Sequence, residues 1–358
     1  MNQWNAMNLA DRNTRVAITT ACNFFCSYCD GPKWVRKSNR PGAMEDYRSK
    51  PLNVGNISTE TYLRIIKVLQ EVGFWWVALT WGEPLLNKDW ERIVDGARGY
   101  WMSRAHLTTN GMLLEQNINK RGLPDWLTLL SLSLDTHNPE EFKEISWWKG
   151  DLLTVMKWLK SAKTLRRDLP IRANKVWLRS IAHKLPEYIR FCDESWVIDS
   201  VNLLSLIRKS DRDSELFQIE YISAQEIIDI VANELWCEFT LDSKYEFQAR
   251  AKNGLYIVVK DTNLTMRTPE CETCSMYCQE GFYTMRVATD GTLMACPDYT
   301  AKQSPIGIID GEKSLEDWTL IERVRTMAWV LLSAHPQETI EYFKSKYSKR
   351  GFIPIKAQ

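Results

Sequence analysis

Between residues 16 and 206, short apolar runs alternate with longer segments in which apolar residues recur at every third or fourth position. The run at residues 75–80 is of the short kind, whereas Leu63, Ile66 and Leu69 belong to a segment of the longer kind. Short apolar runs are typical of strands in a buried parallel sheet, and the three- to four-residue spacing is typical of the helices that cover such a sheet. The pattern therefore predicts an alternation of strands and helices.

Six predicted strands and the five predicted helices between them can be placed in a row. Ser58 is a suitable N-cap for the first helix, and Gly73 ends it. Parallel strands joined by helices make right-handed crossovers, and such a sheet curls into a full or partial barrel. We therefore predict an α/β fold with a partial (β/α)6 TIM-like barrel. The predicted strands are residues 16–20, 75–80, 106–109, 129–134, 171–178 and 201–206, and the predicted helices are residues 58–73, 88–103, 114–121, 151–166 and 184–194.

Four polar motifs come at the carboxyl ends of the first four predicted strands. They are the cysteine loop at residues 22–29, Gly82-Glu83-Pro84, Thr109-Asn110-Gly111 and Ser133-Leu134-Asp135. Each tripeptide alone is also ordinary turn chemistry. Ligands of parallel sheets bind at the carboxyl ends of the strands, so the four motifs together predict one site at that edge.

The cysteine loop carries Cys22, Cys26 and Cys29 in a C-x3-C-x2-C pattern. Thiolates select iron–sulfur clusters, zinc or copper(I). A structural zinc site closes with four ligands, and an ordinary cubane cluster uses four cysteines. Three cysteines on a four-iron cluster would leave one iron open to a small molecule. The alternative is that these thiols are simply buried or bind zinc.

A second group of cysteines lies near the C-terminus, at Cys271, Cys274, Cys278 and Cys296. Asp290-Gly291 predicts a hairpin between residues 283–288 and 292–295, which would return Cys296 toward the other three. Four thiols could close a zinc site or hold a second cluster. If Cys278 is not a ligand, this cluster too has an open iron.

Composition excludes several classes of partner. The chain of 358 residues has 46 basic and 45 acidic residues, a net charge of +1, which predicts neither a nucleic-acid surface nor an acidic membrane as partner. No stretch approaches the roughly 18 apolar residues of a membrane span. The nine cysteines of such a chain are typical of metal ligands in a reducing cytoplasm. We expect two of them, Cys192 and Cys237, to be buried apolar residues instead.

The C-x3-C-x2-C pattern, with the aromatic Tyr28 before the last cysteine, resembles the signature of the radical S-adenosylmethionine (SAM) superfamily. The resemblance implies that the open iron chelates SAM and that an electron from the cluster breaks the sulfur–C5′ bond. The resulting 5′-deoxyadenosyl radical would take a hydrogen atom from the substrate. An external reductant such as flavodoxin or ferredoxin would supply the electron.

The same resemblance assigns SAM contacts to residues at the strand ends. Gly82-Glu83-Pro84 matches the G-E-P element, whose backbone pairs with the amino group of SAM, although the superfamily more often has glycine where Trp81 stands. Ser133 would bind the SAM carboxylate or ribose. The full set implied to bind the cofactor is Tyr28, Gly82, Glu83, Pro84, Thr109, Asn110, Ser133, Asp135, Arg172 and Asn174.

Over most of the chain the pattern resembles the GTP 3′,8-cyclase (MoaA) family. The features shared are the Cys271-x-x-Cys274 pair and the hairpin that begins at Arg286. By this likeness Arg15 and Arg286 contact the substrate. The likeness also implies a SPASM/twitch-type C-terminal domain that holds an auxiliary cluster, and thus two [4Fe-4S] clusters. The expected domains are an N-terminal extension at residues 1–14, the barrel at residues 15–207 and the cluster domain at residues 208–358.

Departures from that family bear on the substrate. Trp76 and Ala78 stand where the family has basic residues, Thr284 replaces one of two hairpin arginines, and the chain ends without Gly-Gly. A triphosphate needs several cationic partners, so these losses argue against GTP. A nucleoside or sugar-type metabolite is our first expectation. The alternatives are a peptide, GTP cyclisation, and a non-catalytic metal-binding or electron-transfer protein. Tyr283, Tyr299 or Cys278 could return a proton or hydrogen atom.

Overall fold

The computed structural model describes residues 12–24, 56–99, 104–125, 127–145, 150–206, 214–243, 246–261, 284–289, 291–294, 308–310, 317–334, 337 and 341. These residues form one mixed sheet with helices packed on it. The strands are β1 (Asn13–Ala17), β2 (Trp76–Thr80), β3 (Arg104–Thr109), β4 (Leu127–Ser133), β5 (Ile171–Val176), β6 (Ser200–Leu204), β7 (Thr240–Ser243), β8 (Glu246–Arg250), β9 (Tyr256–Lys260), β10 (Thr284–Val287), β11 (Thr292–Met294) and β12 (Ile308–Asp310).

The sheet has the order β12-β11-β10-β1-β2-β3-β4-β5-β6-β9-β8-β7. All neighbours from β10 to β9 are parallel, and the outer strands on both sides are antiparallel. The α/β class and the parallel core of β1 to β6 are thus confirmed, and a partial barrel is compatible with this order. β9 and β10, from the region assigned to a separate domain, extend the parallel core on either side. The domain boundary after residue 207 stays a prediction.

The five helices predicted between the first six strands agree closely with observed ones, whereas the helix at Pro139–Ile145 was not predicted. Ser58 caps the first helix as expected, since its Oγ accepts a hydrogen bond of 3.0 Å from the backbone N–H of Thr61. Residues 214–220, which follow the predicted barrel, form a short helix that no part of the sequence pattern predicted. The helices are α1 (Thr59–Glu71), α2 (Trp90–Gly99), α3 (Leu114–Arg121), α4 (Pro139–Ile145), α5 (Leu152–Leu165), α6 (Leu185–Glu194), α7 (Ser214–Glu220), α8 (Ala224–Leu235) and α9 (Asp317–Ala334).

The two faces of the parallel core differ in polarity. Val16, Val77 and Leu107 are at most 1% exposed and belong to the hydrophobic core beneath the helices. Successive side chains of a strand point to opposite faces, so Arg15 and His106 lie on the other, concave face. The predicted site residues therefore line the concave face or the strand ends above it.

Two further expectations can be checked on the described residues. Cys192 and Cys237 are buried within the hydrophobic core, as predicted. Among the described helices, none has the length and apolar character needed to cross a bilayer.

Candidate functional site

The loop that begins the cysteine motif leaves the sheet just after β1. The backbone N–H of Phe24 donates a hydrogen bond of 3.4 Å to Sγ of Cys22, and Cys22 is partly exposed. An N–H donor on sulfur favours the thiolate, which is the form that binds metal. Cys22 thus fits the role of a cluster ligand. Cys26, Tyr28 and Cys29 lie outside the described residues.

The turn at Gly82 packs directly on this loop. The backbone N–H of Glu83 donates to the carbonyl of Ala21 at 2.7 Å. Gly82 has φ +58°, and a Cβ there would lie 2.5 Å from the carbonyl oxygen of Ala21 and 2.6 Å from that of Thr19. Only glycine fits this approach, so the start of the cysteine loop and the Gly82-Glu83 turn form a single packed structure.

Glu83 connects that turn to the end of β3. Its Oε1 accepts hydrogen bonds from Oγ1 of Thr109 at 2.7 Å and from the backbone N–H of Leu85 at 3.1 Å, while Oε2 accepts from the N–H of Asn110 at 2.7 Å. Glu83 is 1% exposed, and burial raises its pKa to about 7 even though the three hydrogen bonds act in the opposite direction. The carboxylate and the Thr109 hydroxyl are therefore engaged with each other, and their predicted contacts with SAM stay predictions.

Asn110 completes the connection to the cysteine loop. Its Nδ2 donates a hydrogen bond of 2.6 Å to Oδ1 of Asn23, and its own Oδ1 accepts from the N–H of Met112 at 3.1 Å. Sequence reasoning missed Asn23, although its place directly after Cys22 was a signal that could have found it. Cys22, Glu83 and Asn110, predicted to share one site, are thus brought to the same edge of the sheet.

The remaining predicted SAM contacts follow on β4 and β5. Ser133 is in register with Asn174, and Asn202 of β6 donates to Oδ1 of Asn174 at 3.2 Å. Asp135 instead turns its carboxylate toward β5, where Oδ1 accepts from the N–H of Val176 at 3.4 Å. Pro84 is buried at the start of a 3-10 turn after Glu83. These residues lie on neighbouring strands, and their roles stay predictions.

Two arginines face each other across β1 and β10. Arg15 and Arg286 are direct partners in the parallel register of these two strands. In the same register Asn13 pairs with Thr284, which lies 271 residues further along the chain. The guanidinium carbon of Arg286 lies 5.0 Å from the ring centroid of Trp81. The two arginines expected to contact the substrate are thus adjacent, beside the turn that holds Glu83.

Sequence reasoning missed a second basic group on the concave face. His106 is in register with Ala78 and its ring lies 4.5 Å from that of Trp76. Burial and, to a smaller extent, the positive charges of Arg172 and Arg104 together lower the pKa of His106 to about 3. These two arginines therefore lie close to His106. The lack of basic residues on β2 is a weaker argument against a phosphorylated substrate than the sequence suggested, because β3 and β5 supply other cations.

The predicted C-terminal hairpin is confirmed in the part that is described. The N–H of Ala288 donates to the carbonyl of Thr292 at 2.8 Å, and Gly291 has φ +79°. Tyr283, Tyr299 and the second cysteine group lie outside the described residues, and that group comprises Cys271, Cys274, Cys278 and Cys296. Within the part of the chain that is described, no three His, Cys, Asp or Glu residues could together hold a metal ion. The ligand sets of both clusters stay predictions.

Comparison with known proteins indicates the class. Residues 16–171 match the model of the radical SAM superfamily. This match and the relatives given next support a MoaA-like radical SAM enzyme. It is 25% identical over 288 residues to a probable GTP 3′,8-cyclase of Methanococcus maripaludis strain C5, covering 80% of this chain and 84% of that protein. It is 30% identical over 231 residues to the GTP 3′,8-cyclase of Stenotrophomonas maltophilia strain R551-3, covering 63% of each.

A solved structure supports the fold. Streptococcus suis SuiB bound to S-adenosylmethionine matches with a TM-score of 0.55 and 15% identity, covering 85% of this chain and 64% of SuiB. At that identity the likeness shows the fold alone. The class as a whole implies SAM and an iron–sulfur cluster as cofactors.

Proposed function

We propose that the enzyme cleaves SAM reductively and abstracts a hydrogen atom from a small metabolite of nucleoside or sugar type that carries an anionic group. The observation that supports this most is the chain of contacts from the Cys22 loop through Gly82 and Glu83 to Asn110. It joins the first predicted cluster ligand to two predicted SAM motifs. When bound, the cluster and SAM supply a 5′-deoxyadenosyl radical, and the protein supplies orientation and exclusion of water.

In this proposal the strand ends hold SAM through a rigid backbone arrangement rather than through charged side chains. Gly82 lets the turn approach the cysteine loop, and the buried carboxyl of Glu83 fixes the ends of β2 and β3 relative to each other. Ser133 and Asn174 extend the same edge over the next two strands. A rigid edge of this kind restricts the pose of a bound ligand, which is the main contribution of a protein to a step that the cofactor performs.

The concave face supports the proposed substrate class. Arg15 and Arg286 form one basic pair, and Arg104 and Arg172 lie near His106 on the same face. Arginine binds carboxylate and phosphate groups through paired N–H donors. We place an anionic group of the substrate at the Arg15–Arg286 pair, next to the turn that would contact SAM.

The cysteines near the C-terminus complete the proposal. Cys271, Cys274 and Cys296, with or without Cys278, would hold an auxiliary [4Fe-4S] cluster as in the resemblance to the MoaA family. The β10–β11 hairpin supports this, because it folds the chain between the two parts of the cysteine group. Arg286 is on that hairpin, so the substrate group and the second cluster would lie at the same side of the sheet.

Anaerobic reconstitution tests the chemistry. The protein is loaded with iron and sulfide, reduced with dithionite and incubated with SAM, and 5′-deoxyadenosine is measured. The wild type should form it, and Cys22→Ala should not, whereas Cys192→Ala, which removes a buried thiol of the core, should. Absence of 5′-deoxyadenosine from a wild type with full iron content would refute the proposal and favour a non-catalytic iron or zinc protein.

GTP 3′,8-cyclisation is a second candidate. The similarity to the two GTP 3′,8-cyclases and the cations on β3 and β5 favour it. Adding GTP to the same assay should then give the cyclised nucleotide, and Arg15→Gln or Arg286→Gln should lower its yield. The exposed arginine of α2 gives a control, since Arg98→Gln removes a charge away from the concave face. Formation of 5′-deoxyadenosine without a cyclised product would favour the first candidate.

A further inference from the structure

Lys175 is a buried lysine beneath the turn that follows Ser133. It lies on the helix-covered face of β5, opposite to its neighbour Asn174, and is 3% exposed. Its partner on β6 is Leu203, which is fully buried, and Leu134 at the end of β4 is fully buried as well. An apolar side chain would suit these neighbours, and burying an ammonium group is strongly unfavourable unless its hydrogen bonds are satisfied.

The ammonium group of Lys175 is directed at one backbone carbonyl. It donates a hydrogen bond to the carbonyl oxygen of Asp135, and it lies 5.0 Å from the ring centroid of Tyr188 on α6. The hydroxyl of Tyr188 donates to the carbonyl of Leu134 at 2.9 Å. Both side chains therefore hold the backbone directly after Ser133, from the face opposite to the site.

The rest of the turn is attached to the same layer. The N–H of Leu134 donates to the carbonyl of Asn174 at 3.0 Å, and the N–H of Val176 donates to Oδ1 of Asp135 at 3.4 Å. Asp135 thus bonds to β5 through both its carboxylate and its carbonyl. Burial lowers the pKa of Lys175, and the carboxylate of Asp135 opposes that shift.

We infer that Lys175 is a positioning residue, which fixes the turn after β4 so that Ser133 presents its hydroxyl to SAM. This rests on the proposed function, in which Ser133 contacts SAM. Lys175 does not touch the ligand, because it lies on the other face of the sheet. Its role is to hold a backbone segment in place through a charge-assisted hydrogen bond, which is stronger than a neutral one.

Lys175→Met tests the inference because it keeps the length of the side chain and removes the donor. We expect the KM for SAM to rise about tenfold, as is typical when a group that orients a ligand contact is removed. We expect a smaller change in kcat. In the protein without cofactors, the backbone amides of residues 134–138 should exchange hydrogen faster. Lys175→Arg, which keeps a charged donor, should restore part of both values.

A second lysine gives a matched control. Lys163 donates to the carbonyl of Leu169 at 2.9 Å and to Asp199 at 2.7 Å, at the opposite end of β5. Lys163→Met should lower stability but leave the KM for SAM and the exchange of residues 134–138 unchanged. Wild-type values of both in Lys175→Met would overturn the inference.

Two arrangements keep the outcome interpretable. If Lys175→Met does not fold, Tyr188→Phe removes the neighbouring bond to Leu134 and should also speed exchange in the turn; unchanged exchange there would overturn the inference. Failure of the wild type to cleave SAM would refute the proposed function instead. The exchange comparison uses protein without cofactors, so it reports on the turn in either case.

Discussion

Asn110 donates a hydrogen bond of 2.6 Å to Asn23, and this bond joins the end of β3 to the loop that begins at Cys22. The two residues are 87 positions apart in the chain. Because the backbone of Asn110 is also bonded to Glu83, one residue links the cysteine loop to both neighbouring motifs. The loop is thus held by specific polar contacts as well as by packing.

Loss of this bond should loosen the cluster loop. We expect Asn23→Ala to speed the release of iron from the reconstituted protein to a chelator, because the loop is then held by fewer contacts. Asn117→Ala is the control, since it removes a bond of 2.7 Å to Nε1 of Trp90 between α2 and α3. The rate of iron release is measured by absorbance. Equal rates for Asn23→Ala and the wild type would show that the bond does not restrain the loop.

Gly82→Ala should destabilise the protein through a backbone clash. A Cβ at Gly82 would meet two carbonyl oxygens at 2.5 and 2.6 Å, and its φ of +58° is unfavourable for alanine. Gly122→Ala is the matched control, because Gly122 has φ +75° with no atom within 4 Å of a Cβ. Gly122 has ψ −166°, and a residue other than glycine costs about 1–3 kcal/mol in such a positive-φ conformation, so the control should lose about that much and Gly82→Ala clearly more.

Urea denaturation of the iron-free proteins measures both changes. The comparison separates steric approach from backbone strain, which both variants share. If the two variants lose the same free energy of unfolding, the close packing of the Gly82 turn on the cysteine loop is wrong.

The strand pattern was enough to predict much of the parallel core, but not how it is completed. Leu114–Arg121 is helical as predicted, because local spacing determines it. The pairing of β1 with β10 joins Asn13 to Thr284, and no local pattern could indicate a partner so distant. The helix at Ser214–Glu220 lies in a charged stretch, where the short apolar repeat gave no helical signal.

The candidate site shows the same division. The rule that ligands bind at strand ends brought Cys22, Glu83 and Asn110 together correctly. It could not show that the side chain of Glu83 is bonded to Thr109 rather than directed at a ligand, because that depends on burial. Arg104 and His106 were missed for a related reason, since only the register of β2 with β3 places them on the concave face.

The buried carboxyl of Glu83 should make stability depend on pH. Burial raises its pKa in the folded protein to about 7 from the ordinary value of 4.5. A raised pKa means that the contribution of the neutral carboxyl to stability is complete below about pH 4.5 and is lost as pH rises through 7. Between pH 5.5 and 8, the wild type should lose on the order of 2 kcal/mol relative to Glu83→Gln, which does not titrate.

The measurement is urea denaturation of iron-free protein at both pH values. Glu83→Gln should itself be less stable at pH 5.5, because its amide N–H₂ faces the N–H of Asn110 where Oε2 accepted a hydrogen bond. Parallel pH profiles for the two proteins would show that Glu83 ionises at its ordinary pKa.

The low pKa of His106 should depend on the arginine beside it. Burial is the largest cause of the low pKa of His106. The positive charges of Arg172 and Arg104 also disfavour the imidazolium ion. Arg172→Gln removes one positive charge, so the pKa of His106 should rise, and the imidazole should still be neutral at pH 7. The pH dependence of the imidazole NMR signals measures this, with His106→Gln used for assignment. Arg92→Gln, on the exposed side of α2, is the control and should leave the pKa unchanged.

A pKa of His106 that is the same in Arg172→Gln and the wild type would mean that Arg172 does not face the concave surface near His106. Arg172 would then not belong to the second basic group, and the argument for GTP would lose one of its cations.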